Sequence, residues 1–150
     1  MSGNLPARPA SSLVMKSLLL LLAVAGLAGC STLDTHHDGD PTKLHHLYVE
    51  HLLTDNHRID QLIVAELTAL GYDAACGPLT MMPERTEAII TYRERSAWDF
   101  KNYLIELDLE VKGNFSGATL ATGRFYQPSI RTKTPAEVVH TVITPIFRRK

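Results

Sequence analysis

The sequence is poor in the residues that mark a specialised scaffold or chemistry. It has two cysteines in 150 residues, a single tryptophan and only 7% aromatic residues. Two thiols cannot build the disulfide framework of a small secreted domain, so the fold rests on its apolar core. Charge of either sign is not in excess: 15 basic and 16 acidic residues give a formal charge of −1. That balance argues against a nucleic-acid partner, which calls for a basic surplus. The chain contains no Gly-x-Ser-x-Gly, no HExxH, no CxxC and no glycine-rich phosphate loop. The short motifs of serine hydrolases, zinc peptidases and nucleotide binders are thereby missing. Nor does any apolar run reach the roughly 20 residues that a membrane-spanning helix needs.

What is present begins with a sharp change of composition. Up to Val14 the chain is small, polar and proline-containing; then Met15 and Lys16 precede an apolar run from Leu18 to Ala28, closed by Gly29-Cys30. A basic flank, a short apolar stretch and a small-residue junction make a secretory signal peptide. The alternative, a buried core helix, leaves the charged flank without a role and five consecutive leucines without a polar face. Met15 would start a signal of more usual length and is a candidate initiator.

The junction Leu27-Ala28-Gly29-Cys30 resembles the lipobox of bacterial lipoproteins at all four positions. The resemblance implies diacylglycerol attached to Cys30, cleavage before it and acylation of the new amino terminus. Ser31 in the next position implies the outer membrane rather than inner-membrane retention. The expected cofactor is none beyond that lipid, and the expected partners are the membrane and an envelope protein, with the domain facing the periplasm.

Residues 31–43 are polar, with Asp34, His36, His37, Asp38, Gly39 and Asp40, and read as a flexible tether. Residues 44–150 then read as one α+β domain. Leu44–Leu53 is strand-like, and Thr54-Asp55-Asn56 offers N-cap chemistry to a helix with Ile59, Leu62, Ile63, Leu67 and Leu70 on one face. Gly71 suits the left-handed position that ends a helix, with Tyr72 as its apolar contact. Strands are expected at 72–76, 87–94, 103–111 and 119–127. Thr134-Pro135-Ala136-Glu137 is a capping box opening a last helix, with Pro145 near its end. The order β-α-β-β-β-β-α predicts a single, mostly antiparallel sheet with two helices packed on one face. It resembles small envelope lipoproteins of proteobacteria and the amino-terminal domain of the Tol-Pal translocation protein, a likeness that carries fold and compartment but no function.

Four groups of residues invite a chemical reading. Six of the seven histidines fall between His36 and His57. Among these His36, His37, His45 and His46 are weak metal candidates, because adjacent histidines on a strand point to opposite faces and do not form the i,i+4 pair of a helical site. Cys76, flanked by alanines and Gly77, reads as a packed thiol rather than a nucleophile. Glu106, Asp108 and Glu110 have the spacing of the wet face of a strand. No nucleophile–base–orienter set can be named, so no catalytic residue is expected. Arg93, Arg95, Trp98 and Asp99 lie where a loop between two strands is expected, and arginine and tryptophan are common binding hot spots. The competing reading, slightly favoured, folds Trp98 back over the core.

The function expected is that of a non-enzymatic, outer-membrane-anchored lipoprotein serving interaction or envelope assembly, with a small-ligand or metal-binding lipoprotein as the alternative. Oligomeric state is not readable from the sequence.

Overall fold

The computed structural model describes residues 31–98, 102–128 and 133–149. The lipobox, Cys30 and Asp99 therefore lie outside the described residues. The elements are β1 (Thr32–His37), β2 (His46–Glu50), α1 (Ile59–Ala69), β3 (Asp73–Gly77), β4 (Ala88–Trp98), β5 (Asn102–Gly113), β6 (Thr119–Tyr126) and α2 (Pro135–Phe147). All strands join one sheet in the order β1-β6-β5-β4-β2-β3. The fold is α+β, as the hydrophobic pattern predicts. The sheet is mixed: β1-β6, β6-β5 and β5-β4 are antiparallel, whereas β4-β2 and β2-β3 are parallel.

The parallel half follows from α1. A helix between β2 and β3 returns the chain to the end where β2 began, so the two strands run the same way. The helix ends in a Schellman motif: Gly71 takes φ +89°, its N–H donates to Thr68, and the Tyr72 N–H donates to Leu67. Tyr72 then packs its ring edge-on against Phe147 of α2, with centroids 5.4 Å apart and planes at 75°. Its hydroxyl donates to the Phe147 carbonyl at 2.7 Å. The start of α1 departs from expectation. Arg58, in the left-handed conformation with φ 56°, occupies the N-cap and supplies no side-chain bond. Asp55 serves instead from three residues upstream, accepting from the backbone N–H groups of His57 and Asp60.

α2 is as predicted at its start. The Thr134 hydroxyl accepts from the Glu137 N–H, the Glu137 carboxylate accepts from the Thr134 N–H, and Pro135 stands first in the helix. Pro145 lies inside the helix, which ends two residues later. The helix lies close on β6 because Gly123 has no side chain: a Cβ there would fall 2.7 Å from Val142 and 3.0 Å from Ile146. Both helices cover one side of the sheet and touch each other, α1 over β2 and β3, α2 over β6, β1 and β5. The core between them includes Val49, Ile59, Ile63, Ile90, Leu107, Phe125, Val142, Ile143 and Phe147, all essentially inaccessible. Burying each such side chain contributes about 1.5–3 kcal/mol.

Two expectations are corrected. The polar segment 31–43 is not a tether over its first part: residues 32–37 form the edge strand β1, paired along its whole length with β6 from Thr32↔Tyr126 to His37↔Ala121. A single 3-10 turn at Pro41–Lys43 follows, and Arg149 clasps it by donating to the carbonyls of Thr42 and Leu44 while lying over the Tyr72 ring. The folded unit thus includes residues 32–43, which the sequence assigns to a tether. Likewise, the expected loop around Trp98 is the outer end of β4. That strand pairs with β5 through Trp98↔Asn102, with a register shift between Arg95 and Ser96.

Candidate functional site

Strand alternation sends every second side chain to the side of the sheet on which, among the described residues, no helix packs. There the register aligns charges in rungs. One rung runs Asp34, Arg124, Asp108, Arg93 across β1, β6, β5 and β4, alternating in sign at every step. The next is His36, Thr122, Glu110, Thr91. Opposite charges placed directly across strands stabilise a sheet modestly, by about 0.2–1 kcal/mol per pair. The two rungs floor a shallow concavity of about 600 Å³.

Glu106 fixes the end of this array. It is only 8% exposed, although it stands on the uncovered face. Arg124 donates to one of its oxygens through both Nε and a terminal nitrogen, and Arg95 lies 2.8 Å from the other. Burial alone would raise the Glu106 carboxyl, but the Arg124 bond and the charges of both arginines outweigh it and hold it below the ordinary range. Arg124 also reaches Asp108 at 3.4 Å. Glu110 is held low first by the Thr119 hydroxyl and then by Lys112. Glu106, Asp108 and Glu110 are thus the outward set that their spacing predicts, with Glu106 sealed under its partners.

A second polar cluster stands at the β2–α1 loop. Tyr92 donates to Asp55 at 2.7 Å, Asn56 N–H donates to Glu94 at 2.9 Å, and His57 Nδ1 sits 2.8 Å from the other Glu94 oxygen. Burial, and then the Asp55 carboxylate, push the Tyr92 hydroxyl far above its usual range. Burial would also raise Asp55, but the Tyr92 bond and the surrounding backbone N–H groups prevail and lower it. Ser96 Oγ lies 3.4 Å from the same His57 Nδ1 that Glu94 occupies. A serine–histidine–acid relay needs the acid and the hydroxyl on opposite ring nitrogens. This cluster pins the loop to the sheet and lacks the relay geometry.

The other predicted residues are dispersed. Arg93 and Arg95 join the open face. Trp98 is 77% exposed at the end of β4, so it is not a lid on the core. His36 pairs with Asp38 at 3.0 Å and His46 with Asp73 at 2.9 Å, while His45 donates its backbone N–H to Glu87 and accepts from the Asp73 N–H at its carbonyl. His37 faces the other way from His36 on β1. Among the described residues no group of three or more His, Cys, Asp or Glu side chains is placed to hold a metal ion. Cys76 packs against the core; burial first, then the Asp60 charge, raises its thiol. What sequence reasoning missed is the contribution of β1 to the open face, through Asp34 and His36. With Leu33 as its one apolar residue, 32–37 carries no period-two pattern that could have found it.

No family model and no curated protein sequence matches the chain. Solved structures do. The PelC dodecamer from Paraburkholderia phytofirmans superposes with a TM-score of 0.62 at 12% identity, covering 81% of this chain and 100% of that one. A leucine-to-methionine variant of the same dodecamer, in another space group, gives 0.59 at 12% identity over the same shares. At that identity the likeness is one of fold. The chain shares the architecture of a subunit that assembles into dodecamers.

Proposed function

We propose that this protein is an outer-membrane-anchored periplasmic lipoprotein that acts without catalysis as an assembly module, associating with further copies of itself and with an envelope partner. The observation that carries the reading is the uncovered sheet face, whose rung Asp34–Arg124–Asp108–Arg93 alternates in sign. A face with both signs in regular alternation complements a second copy displaced by one strand, and like-charge juxtaposition penalises other placements. The fold shared with a dodecamer subunit supports assembly, and the lipobox at Cys30 supports the anchor.

The test is native mass spectrometry of the full chain extracted from membranes in mild detergent. Defined multiples of the subunit are expected, and these should fall to monomers when Arg93 and Arg124 are both replaced by Glu. A monomer at micromolar concentration overturns the assembly reading. Cys30→Ala should leave the outer-membrane fraction, and continued co-fractionation overturns the anchor. We carry no metal into this reading; tight stoichiometric zinc binding by the full chain would reverse that.

A second reading rests on the concavity of about 600 Å³ over Thr91, Arg93, Asp108, Glu110, Thr122 and Arg124. Its mixed charges and hydroxyls suit a small polar or zwitterionic ligand. Saturable binding lost in Arg93→Ala, with the oligomer intact, would favour it.

A further inference from the structure

We infer that the β4–β5 hairpin end of the sheet, carrying Trp98, rests in the headgroup region of the membrane that holds the lipid anchor. The inference depends on the anchor reading at Cys30 and adds to it an orientation. The first strand begins at Thr32, only two residues after that cysteine. Two residues span at most about 7 Å. The leash is therefore short, and it leaves the sheet at the Thr32 end.

The register identifies what else stands at that end. Thr32 is level with Tyr126 on β6, and Tyr126 is level with Glu106 on β5. From Glu106, β5 continues back to Asn102, the pairing partner of Trp98. Those four residues add about 13 Å in the direction from which the chain enters Thr32. The hairpin thus projects beyond Thr32 by more than the leash can extend, and it meets the bilayer first. Trp98 on this projection is 77% exposed, and Tyr126 at its base is 39% exposed. Tryptophan and tyrosine are the side chains that favour the headgroup level, where an apolar ring and a polar N–H or O–H are both accommodated. The acyl chains supply the hold; the ring sets the tilt. With the hairpin down, the strands stand off the membrane, and the open charged face points sideways, toward neighbouring copies.

The opposite end supplies the control. Phe115, 83% exposed, lies in the β5–β6 turn. It is separated from Trp98 by the 12 residues of β5, about 40 Å of strand. Because Trp98 is the single tryptophan of the chain, its fluorescence reports this position alone. The experiment takes the full chain from membranes and measures its mass. The protein then enters vesicles of phosphatidylethanolamine and phosphatidylglycerol, with or without bromine placed early in the acyl chains. Bromine should reduce Trp98 emission at least twofold. In the double variant Trp98→Phe with Phe115→Trp, it should change emission by less than a tenth. A chain without lipid mass overturns the anchor reading, and the inference falls with it. A lipidated chain whose Trp98 is quenched by aqueous iodide but not by brominated lipid overturns the orientation alone. So does a Trp98 shielded from both quenchers, which would mark a protein contact, or a tryptophan at 115 quenched as strongly.

Discussion

The two sides of the sheet use the same six strands for opposite ends. Toward the helices, Val49, Ile90, Leu107 and Phe125 are sealed beneath α1 and α2, and order comes from packing. Away from them, Arg93, Asp108, Arg124 and Asp34 stand in a row, and order comes from charge pairing across strands. Packing in a close-filled interior punishes a change of a single methylene, whereas exposed ion pairs contribute little each. Stability is thus concentrated on one side. The other can vary its side chains, and what it binds, at small cost to the fold.

The largest expected effect sharpens that contrast on the packed side. Phe147→Ala removes a fully buried ring from its edge-on contact with Tyr72. Chemical denaturation should show a loss of about 3–5 kcal/mol. A loss below about 1 kcal/mol would break the comparison outright.

Next comes the close approach of α2 to β6. Gly123→Ala places a methyl 2.7 Å from Val142, and overpacking of this kind costs about 1–3 kcal/mol. Val142→Ala in the same chain should recover part of that loss, because the two positions share one space. Melting of the two single variants and the double variant measures the coupling. Strict additivity would mean that the helix moves freely over the glycine.

How much of this was legible depended on how local each signal was. Gly71-Tyr72 and Thr134 with Glu137 are read correctly because the bonds they make lie within a few residues. The alternation over 103–111 locates β5 because burial of one face writes a period of two into the chain. β1 was hidden, since a polar segment with two histidines becomes a strand only through pairing with β6, some ninety residues later. The α1 cap was misplaced for a similar reason. Asp55 is fixed by Tyr92, 37 positions away, and the loop it holds leaves the left-handed Arg58 at the helix start. As for the candidate site, Arg93 and Arg95 are expected in a loop but stand within β4, and the partners they face on β5, β6 and β1 follow from register alone.

The open face should answer to acid more than the core does. Glu106 sits below its ordinary range in the folded protein. A carboxyl lowered on folding adds stability that is complete above its unfolded pKa and is lost as pH falls through the folded value. Stability should therefore decline as pH drops below about 4. Glu106→Gln should cost about 1–2 kcal/mol at pH 7, less than a fully buried pair would, because Arg95 and Arg124 are themselves largely exposed. Below the folded value the variant and the parent should converge, since both are then uncharged. Urea melts at pH 7, 5 and 3 would show it; a constant gap across the three would assign the effect to packing rather than charge.

The smallest expected effect on folding is at Trp98, the residue that the sequence slightly favours as a lid over the core. A lid of that size would be worth about 3–5 kcal/mol on truncation to alanine. The structure places Trp98 at 77% exposure at the far end of β4, beyond the register shift at Arg95/Ser96. At such a position little apolar area leaves water on folding. Trp98→Ala should cost less than about 1 kcal/mol in detergent, where no bilayer is present. Thermal unfolding in detergent isolates the folding term, and the same variant in vesicles isolates the membrane term. A large loss in detergent would return Trp98 to the packed side and erase the division between the faces at this end of the sheet. A small loss there, together with a changed depth or tilt in vesicles, would extend that division from the middle of the strands to their tip.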